Sequence, residues 1–340
     1  MEFDDARLAA ATVSPRADEA LRHLAGAGAR IRREAGVSAR ELAAGFPAGR
    51  RPRGVVALGR GARLIRAVLE PFCPSPFVAW PFKGLPAWVG PLDLVIALAA
   101  EGSDPALMQA LGEAVRRGSA VLLAARPDSS IAEVAGSSAT LMVPVATGDE
   151  LAAVVQVLSV LHELGLGPHV APEVVADAAD GVAAQSSPHR DISINPAKDM
   201  ALQLADAQPL VFGGTVLAAR AGRRLAEALR RSTGRLALAA DAGELEPIIS
   251  ALDGRDPFAD PFDEPGQSLR PALVVLDDGT DDAGARQATG ELAALAARHE
   301  VRVVTLTAGD PGISPMDRYA SLLYQGFFGA TWLSIGLGRL

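Results

Sequence analysis

Residues 93–123 read DLVIALAAEGSDPALMQALGEAVRRGSAVLL, and this stretch decides the fold. The apolar run DLVIAL (93–98) has the length and continuity of a fully buried strand. DPALMQALGEAVRRG (104–118) carries apolar positions at helical spacing, with Gly118 as its stop, and AVLLAA (120–125) is a second buried strand. Strands that are apolar on both faces and joined by helices predict a parallel sheet covered on both sides, so the fold class is α/β.

The same alternation extends outward. GVVALG (54–59), FVAW (77–80) and TLMVPV (140–145) read as further strands. ARLIRAVLEPF (62–72), SSIAEVAG and GDELAAVVQVLSVLHELG (148–165) read as helices. Residues 5 to about 48 are helical, with Ser38 as an N-cap. A connection rich in Pro, Ala, Asp and Ser (166–200) leads to a second α/β unit. Its strands are PLVFGG (209–214), RLALAA (235–240), PALVVLDDG (271–279) and VRVVTLTAG (301–309), and a helix at 316–338 follows. The acidic, Pro-rich stretch DGRDPFADPFDEPGQSLRP is expected to be a solvated excursion. Val55–Leu64 matches Leu210–Leu217 in pattern, and Asp93–Leu98 matches Ala272–Leu276, so an internal duplication is expected. The predicted boundaries are 1–50 (N-terminal helices), 51–165 (first domain), 166–200 (linker), 201–310 (second domain) and 311–340 (C-terminal helix).

Composition excludes several classes. A formal charge of −8 argues against a nucleic-acid or anionic-membrane partner, since either needs a basic face. No run approaches 18 apolar residues, and Met-Glu-Phe-Asp-Asp is no signal peptide, so a cytoplasmic protein is expected. The lone cysteine, Cys73, allows no internal disulfide and reads as a packed residue. The 32 basic residues include only two lysines, Lys83 and Lys198. No Cys/His cluster has metal-ligand spacing, so no metal site is expected.

Two glycine turns end strands and precede helices, where backbone N–H groups can meet an anion. They are Gly59-Arg60-Gly61, followed by Ala62 and Arg63, and Gly213-Gly214-Thr215. Neither forms a dinucleotide fingerprint or a P-loop, and each reads equally as a tight strand–helix turn.

LPAWVGPLDLVIAL (85–98), NPAKDMALQLADAQPLVFGG (195–214) and MDRYASLLYQGFFGATWLSIGLG (316–338) resemble the bifunctional phosphoglucose/phosphomannose isomerase family. The resemblance implies two tandem SIS (sugar isomerase) domains, flavodoxin-like with parallel sheets, flanked by helical N- and C-terminal segments. It further implies a homodimer, aldose–ketose 6-phosphate chemistry and no cofactor. The family's functional residues carry over poorly. Its first turn, Gly-Met-Gly-Gly-Ser, falls on Gly59-Arg60-Gly61-Ala62-Arg63 and loses the serine. Its phosphate loop, Ser-x-Ser-Gly-x-Thr-x-Glu, falls on Ala99 to Ala106. There Gly102 survives and Ser103 offers one displaced hydroxyl. The proton-shuttling glutamate, from Pro-Glu-x-x-His-Asn, has its nearest counterpart in Glu244 of Gly243-Glu244-Leu245-Glu246-Pro247, without the histidine. No histidine lies between His189 and His299, and no lysine follows Lys198.

The energetics favour a dismantled site. Each lost hydroxyl forfeits a charge-assisted hydrogen bond of roughly 1.5–3 kcal/mol. A carboxylate about 5 Å from a phosphate dianion costs roughly 2–7 kcal/mol at effective dielectrics between 80 and 20. A millimolar ligand has about 4 kcal/mol of binding free energy in all. The loss of hydroxyls, with Glu101 and Asp104 in their place, exceeds that unless Arg60 or Arg63 compensates. The expectation is a carbohydrate-derivative-binding protein with lost or weak isomerase activity. The alternatives are an active isomerase using Glu244, with His189 supplied by the second subunit of a dimer, and a regulatory or structural partner of a sugar enzyme. Ligand contacts are expected from Gly59, Arg60, Gly61, Arg63, Gly102, Ser103, Gly213, Gly214 and Thr215.

Overall fold

The computed structural model describes residues 3–10, 12–46, 51–100, 104–252, 269–309 and 314–340. Residues 253–268 of the acidic Pro-rich stretch and Glu101, Gly102 and Ser103 lie outside the described residues. Arg270 and Pro271, at the end of that stretch, are not loop but open a strand. By internal contact the chain forms two units. One holds Gly26–Ala178 with Ile313–Asp317, and the other holds Met1–Ala25, Ala179–Gly312 and Arg318–Leu340.

The chain opens with helices α1 (Ala6–Ala9), α2 (Pro15–Ala25), α3 (Ala27–Glu34) and α4 (Ala39–Ala44). Ser38 caps α4, its Oγ accepting from the Glu41 N–H at 3.4 Å. The first sheet follows as β1 (Val55–Leu58), α5 (Ala62–Leu69), β2 (Phe77–Ala79), β3 (Leu94–Ala99), α6 (Pro105–Arg116), β4 (Ala120–Ala125), α7 (Ser130–Val134), β5 (Thr140–Pro144) and α8 (Glu150–Glu163). All five strands are parallel, in the order β2-β1-β3-β4-β5. Every residue of β1 and β3 is buried, as two-sided cover requires. Helix α8 is apolar almost all round and buried from Leu151 to Leu161, because α3, α4 and α5 pack on it. Its apolar surface, which would otherwise invite a second subunit, is thus covered within its own unit.

The connection at 166–200 is mostly helical, with α9 (Pro172–Gln185), a short 3₁₀ turn (Ile192–Ile194) and α10 (Pro196–Gln203). Both α-helices begin on a proline, where the missing N–H costs nothing, so proline marks starts here rather than breaks. The second sheet comprises β6 (Ala207–Gly213), α11 (Val216–Thr233), β7 (Leu238–Ala239), α12 (Ala242–Ser250), β8 (Arg270–Asp277), α13 (Ala283–Arg298), β9 (Arg302–Thr307) and α14 (Pro315–Gly336). Its four strands are parallel in the order β7-β6-β8-β9. The expected strand at 235–240 shrinks to two residues. It is an edge with one neighbour, and Leu236 is 71% exposed.

Asn195-Pro196-Ala197-Lys198 has a local explanation. The Asn195 side chain caps α10, accepting from the Ala197 and Lys198 N–H groups at 3.1 Å each, and Pro196 takes the first helical position. Lys198 is buried. Its Nζ donates to the Pro188 and Arg190 carbonyls at 3.0 and 2.9 Å and lies 4.6 Å from the centre of the Trp332 ring. Burial pushes the ammonium pKa down, partly opposed by Asp191. Lys198 therefore holds a connection in place.

Candidate functional site

In open parallel sheets, ligands bind beyond the C-terminal strand ends where the strand order reverses. In the first sheet that point lies between β1 and β3, and in the second between β6 and β8. The glycine turns singled out in the sequence leave β1 and β6, so each sits at a switch point.

In the first unit, Gly59 has a φ of +88°, and a Cβ there would lie 2.8 Å from the Leu98 carbonyl oxygen. Only glycine allows the ends of β1 and β3 to approach this closely. Gly61 begins α5 without a side-chain cap, and a Cβ on it would meet Leu98 Cδ1 at 2.6 Å and Glu150 Oε1 at 3.3 Å. A carboxylate therefore already stands beside the uncapped start of α5. Arg60 and Arg63 are exposed, and both have interaction partners. At the end of β3, Asp104 caps α6, its Oδ1 accepting from the Ala106 N–H at 2.8 Å, with Pro105 at the first turn. The helix dipole that would attract a phosphate is answered by the chain's own carboxylate.

The turn between β5 and α8 completes this rim. Asp149 caps α8 through the Ala152 N–H at 2.9 Å and pairs with Arg30 at 2.6 Å. A residue that sequence reasoning missed, Glu34 on α3, reaches the same turn. Its carboxylate accepts from the Ala146 N–H (2.9 Å), the Thr147 N–H (2.6 Å) and the Thr147 hydroxyl. Thr147, the hydroxyl of this turn, is thereby engaged before any ligand arrives.

In the second unit, Gly213 and Gly214 are both required by packing. A Cβ on Gly213 would sit 2.3 Å from the Ala218 carbonyl carbon, and one on Gly214 would sit 2.9 Å from Ala285 Cβ. Thr215 caps α11, accepting from the Ala218 N–H at 3.1 Å, and donates to Asp278 Oδ2 at 2.8 Å. Asp278 lies just beyond β8, is 2% exposed and also accepts from the Thr280 N–H at 3.1 Å. Arg318 Nη1 donates to the Asp278 carbonyl (3.1 Å) and the Thr280 hydroxyl (2.7 Å). The acid-bearing turn of the first unit thus has a counterpart here, in which Asp278 ties the two switch-point strands together. Sequence reading missed this role, although the DDGTDD run was its signal.

Asp278→Ala is expected to destabilise the chain by about 2–4 kcal/mol, because the Thr215 hydroxyl and the Thr280 N–H lose a buried acceptor. Asp278→Asn, which keeps an acceptor, is expected to cost about 1 kcal/mol. Urea unfolding checks both, and equal midpoints for Ala and parent would remove the network from the stability argument.

The two residues expected to carry proton transfer lie on different elements of the chain. Glu244 is exposed on the first turn of α12. His189 is exposed in the turn between α9 and α10, its own N–H held by Ser187 Oγ at 3.4 Å. Among the described residues no hydrogen bond or ion pair joins them, and no cluster of three His, Cys, Asp or Glu could hold a metal ion. Among the same residues no helix is long and apolar enough to cross a membrane.

No family model matches the chain, and no curated protein matches it. Solved structures do. The tagatose-6-phosphate ketose/aldose isomerase of Escherichia coli aligns over 97% of this chain and 97% of its own, at 13% identity and a TM-score of 0.69. The C-terminal domain of glucosamine-fructose-6-phosphate aminotransferase from Francisella tularensis aligns over 95% and 96%, at 12% identity and a TM-score of 0.62. A glucose-6-phosphate isomerase like protein from Thermus thermophilus aligns over 92% and 89%, at 18% identity and a TM-score of 0.52. At these identities the likeness establishes the fold: this chain has the tandem, parallel-sheet α/β architecture of SIS-domain phosphosugar isomerases.

Proposed function

We propose that this protein binds a carbohydrate derivative at its switch-point rims and has lost or weak aldose–ketose isomerase activity. The observation that carries the reading is the state of the helix starts beyond β3 and β6. Asp104 caps α6, and the Thr215 hydroxyl is committed both to α11 and to Asp278. A phosphate would have to displace these groups, at roughly 0.5–1.5 kcal/mol for each hydrogen bond exchanged, and would meet the exposed Asp104 carboxylate. Isomerisation also needs a base and an acid in reach of one substrate, and Glu244 stands exposed on α12 in a chain with no histidine between His189 and His299.

The test is a coupled assay converting fructose 6-phosphate to glucose 6-phosphate or mannose 6-phosphate. The expected result is no turnover above background. Robust turnover that disappears in Glu244→Gln would overturn the reading in favour of an active isomerase. That second reading draws support from the full-length likeness to a ketose/aldose isomerase. Cytoplasmic location and a homodimer belong to the proposal as well. The dimer rests on family resemblance, and sedimentation showing a monomer at micromolar concentration would count against it.

A further inference from the structure

The segment between the two rim turns of the first unit has a composition unlike the rest of the chain. Phe72, Phe77, Trp80, Phe82 and Trp88 fall within it, against totals of 10 Phe, 3 Trp and 2 Tyr. Strand β2 runs parallel to β1 with Ala57 opposite Ala79, and the Trp80 N–H donates to the Ala57 carbonyl at 2.9 Å. The chain leaving β2 therefore emerges on the same rim as Gly59. Trp80 is partly buried and packs on the core cluster that includes Leu58, Ala99 and Leu107, the residues directly behind the β1 and β3 turns. Phe82 stands edge-on to Trp80, with ring centroids 5.1 Å apart at 71°. Yet Phe82 is 69% exposed, and the Trp80 indole Nε1–H is buried with no hydrogen-bond partner.

The Trp80 Nε1–H is sealed inside the unit, so a ligand at this surface meets the rings of Phe82 and Trp80 and not the indole donor. Aromatic faces carry negative quadrupole density, which favours the polarised C–H face of a ligand. An apolar wall made of two rings set edge to face, with few polar groups, suits a neutral ring bearing hydroxyls. A phosphate dianion gains nothing from such a wall and meets the Asp104 carboxylate on the same rim. We propose that Trp80 and Phe82 form the sugar-stacking platform of this rim, and that its ligand is an unphosphorylated pyranose. The inference rests on the carbohydrate-binding reading above and specifies its chemistry. Lys83, exposed beside Phe82, is the cation that could instead recruit a phosphate, so it enters the test.

The full chain is titrated with glucose, mannose and N-acetylglucosamine, and with their 6-phosphates, followed by saturation-transfer NMR and tryptophan fluorescence. The neutral sugars are expected to bind in the millimolar range, and the phosphate to add no affinity. Phe82→Ala should weaken neutral-sugar binding about tenfold, and Phe82→Tyr, which keeps the ring, should restore it to within about threefold. Because Phe82 is exposed, both variants should show the parent's far-UV spectrum. Binding confined to the 6-phosphates, unmoved by Phe82→Ala and lost in Lys83→Ala or Arg60→Ala, would overturn this inference and leave the carbohydrate reading standing. No response to any of the six sugars would overturn both.

Discussion

Trp332→Ala is expected to cost about 3–5 kcal/mol of stability, the largest effect of any single substitution proposed for this protein. Trp332 lies on α14, is 1% exposed, and donates from its indole N–H to the Ser186 carbonyl at 3.3 Å. Its ring also faces the buried Lys198 ammonium, whose other partners are two carbonyls. Truncation leaves a cavity and deprives a desolvated cation of its aromatic face, worth up to about 2 kcal/mol when desolvated. Two units need not unfold together. Guanidinium unfolding followed by far-UV circular dichroism should therefore show the transition of the unit holding Trp332 move to lower denaturant. Lys198→Met separates the two contributions. It keeps the stem over the ring and removes the charge, so its cost should be smaller. A Trp332→Ala chain with the parent's midpoint would show that the packing of α14 against this connection contributes nothing.

The second large effect is expected at Glu34. Its carboxylate, 4% exposed, is the acceptor for two backbone N–H groups and one hydroxyl of the turn between β5 and α8. Glu34→Ala strands those donors at about 1–3 kcal/mol each, for a total of about 3 kcal/mol or more. Glu34→Gln retains one acceptor oxygen and should lose roughly half as much. Amide hydrogen exchange at Ala146 and Thr147 reads this turn directly. Protection should drop in Glu34→Ala before any global unfolding. Unchanged exchange in that variant would mean that water satisfies the turn as well as the carboxylate does.

These two residues mark the limit of what was legible in the chain. The strands around 93–98 and 120–125 could be read from apolar continuity, and α6 from its spacing and its stop at Gly118. The glycine turns at Gly59 and Gly213 were visible as turns, since only glycine supplies the backbone shape and closeness they need. Helical structure within 166–200 was missed because its prolines read as breakers, whereas Pro172 and Pro196 open helices. Asp104 was read as a charge opposing a ligand, and in the fold it is also the cap of α6. Glu34 carried no signal at all. An acid in a helix is ordinary, and its partners lie 112 and 113 residues away.

Three features were already written in the order of the residues: the α/β class, the duplication of strand, glycine turn and helix, and the scarcity of hydroxyls at the turn after residue 98. They are periodic or local, so the chemistry that enforces them acts within a few residues. The strand orders, and so the places where the switch points fall, emerge only when the sheets assemble. The same assembly fixes which donors are already spent: Thr215 on Asp278 across 63 residues, and Thr147 on Glu34. Hydrogen bonds between distant residues depend on which strand ends come together. No local pattern encodes that, and a site's capacity for a ligand is what remains after such bonds are made.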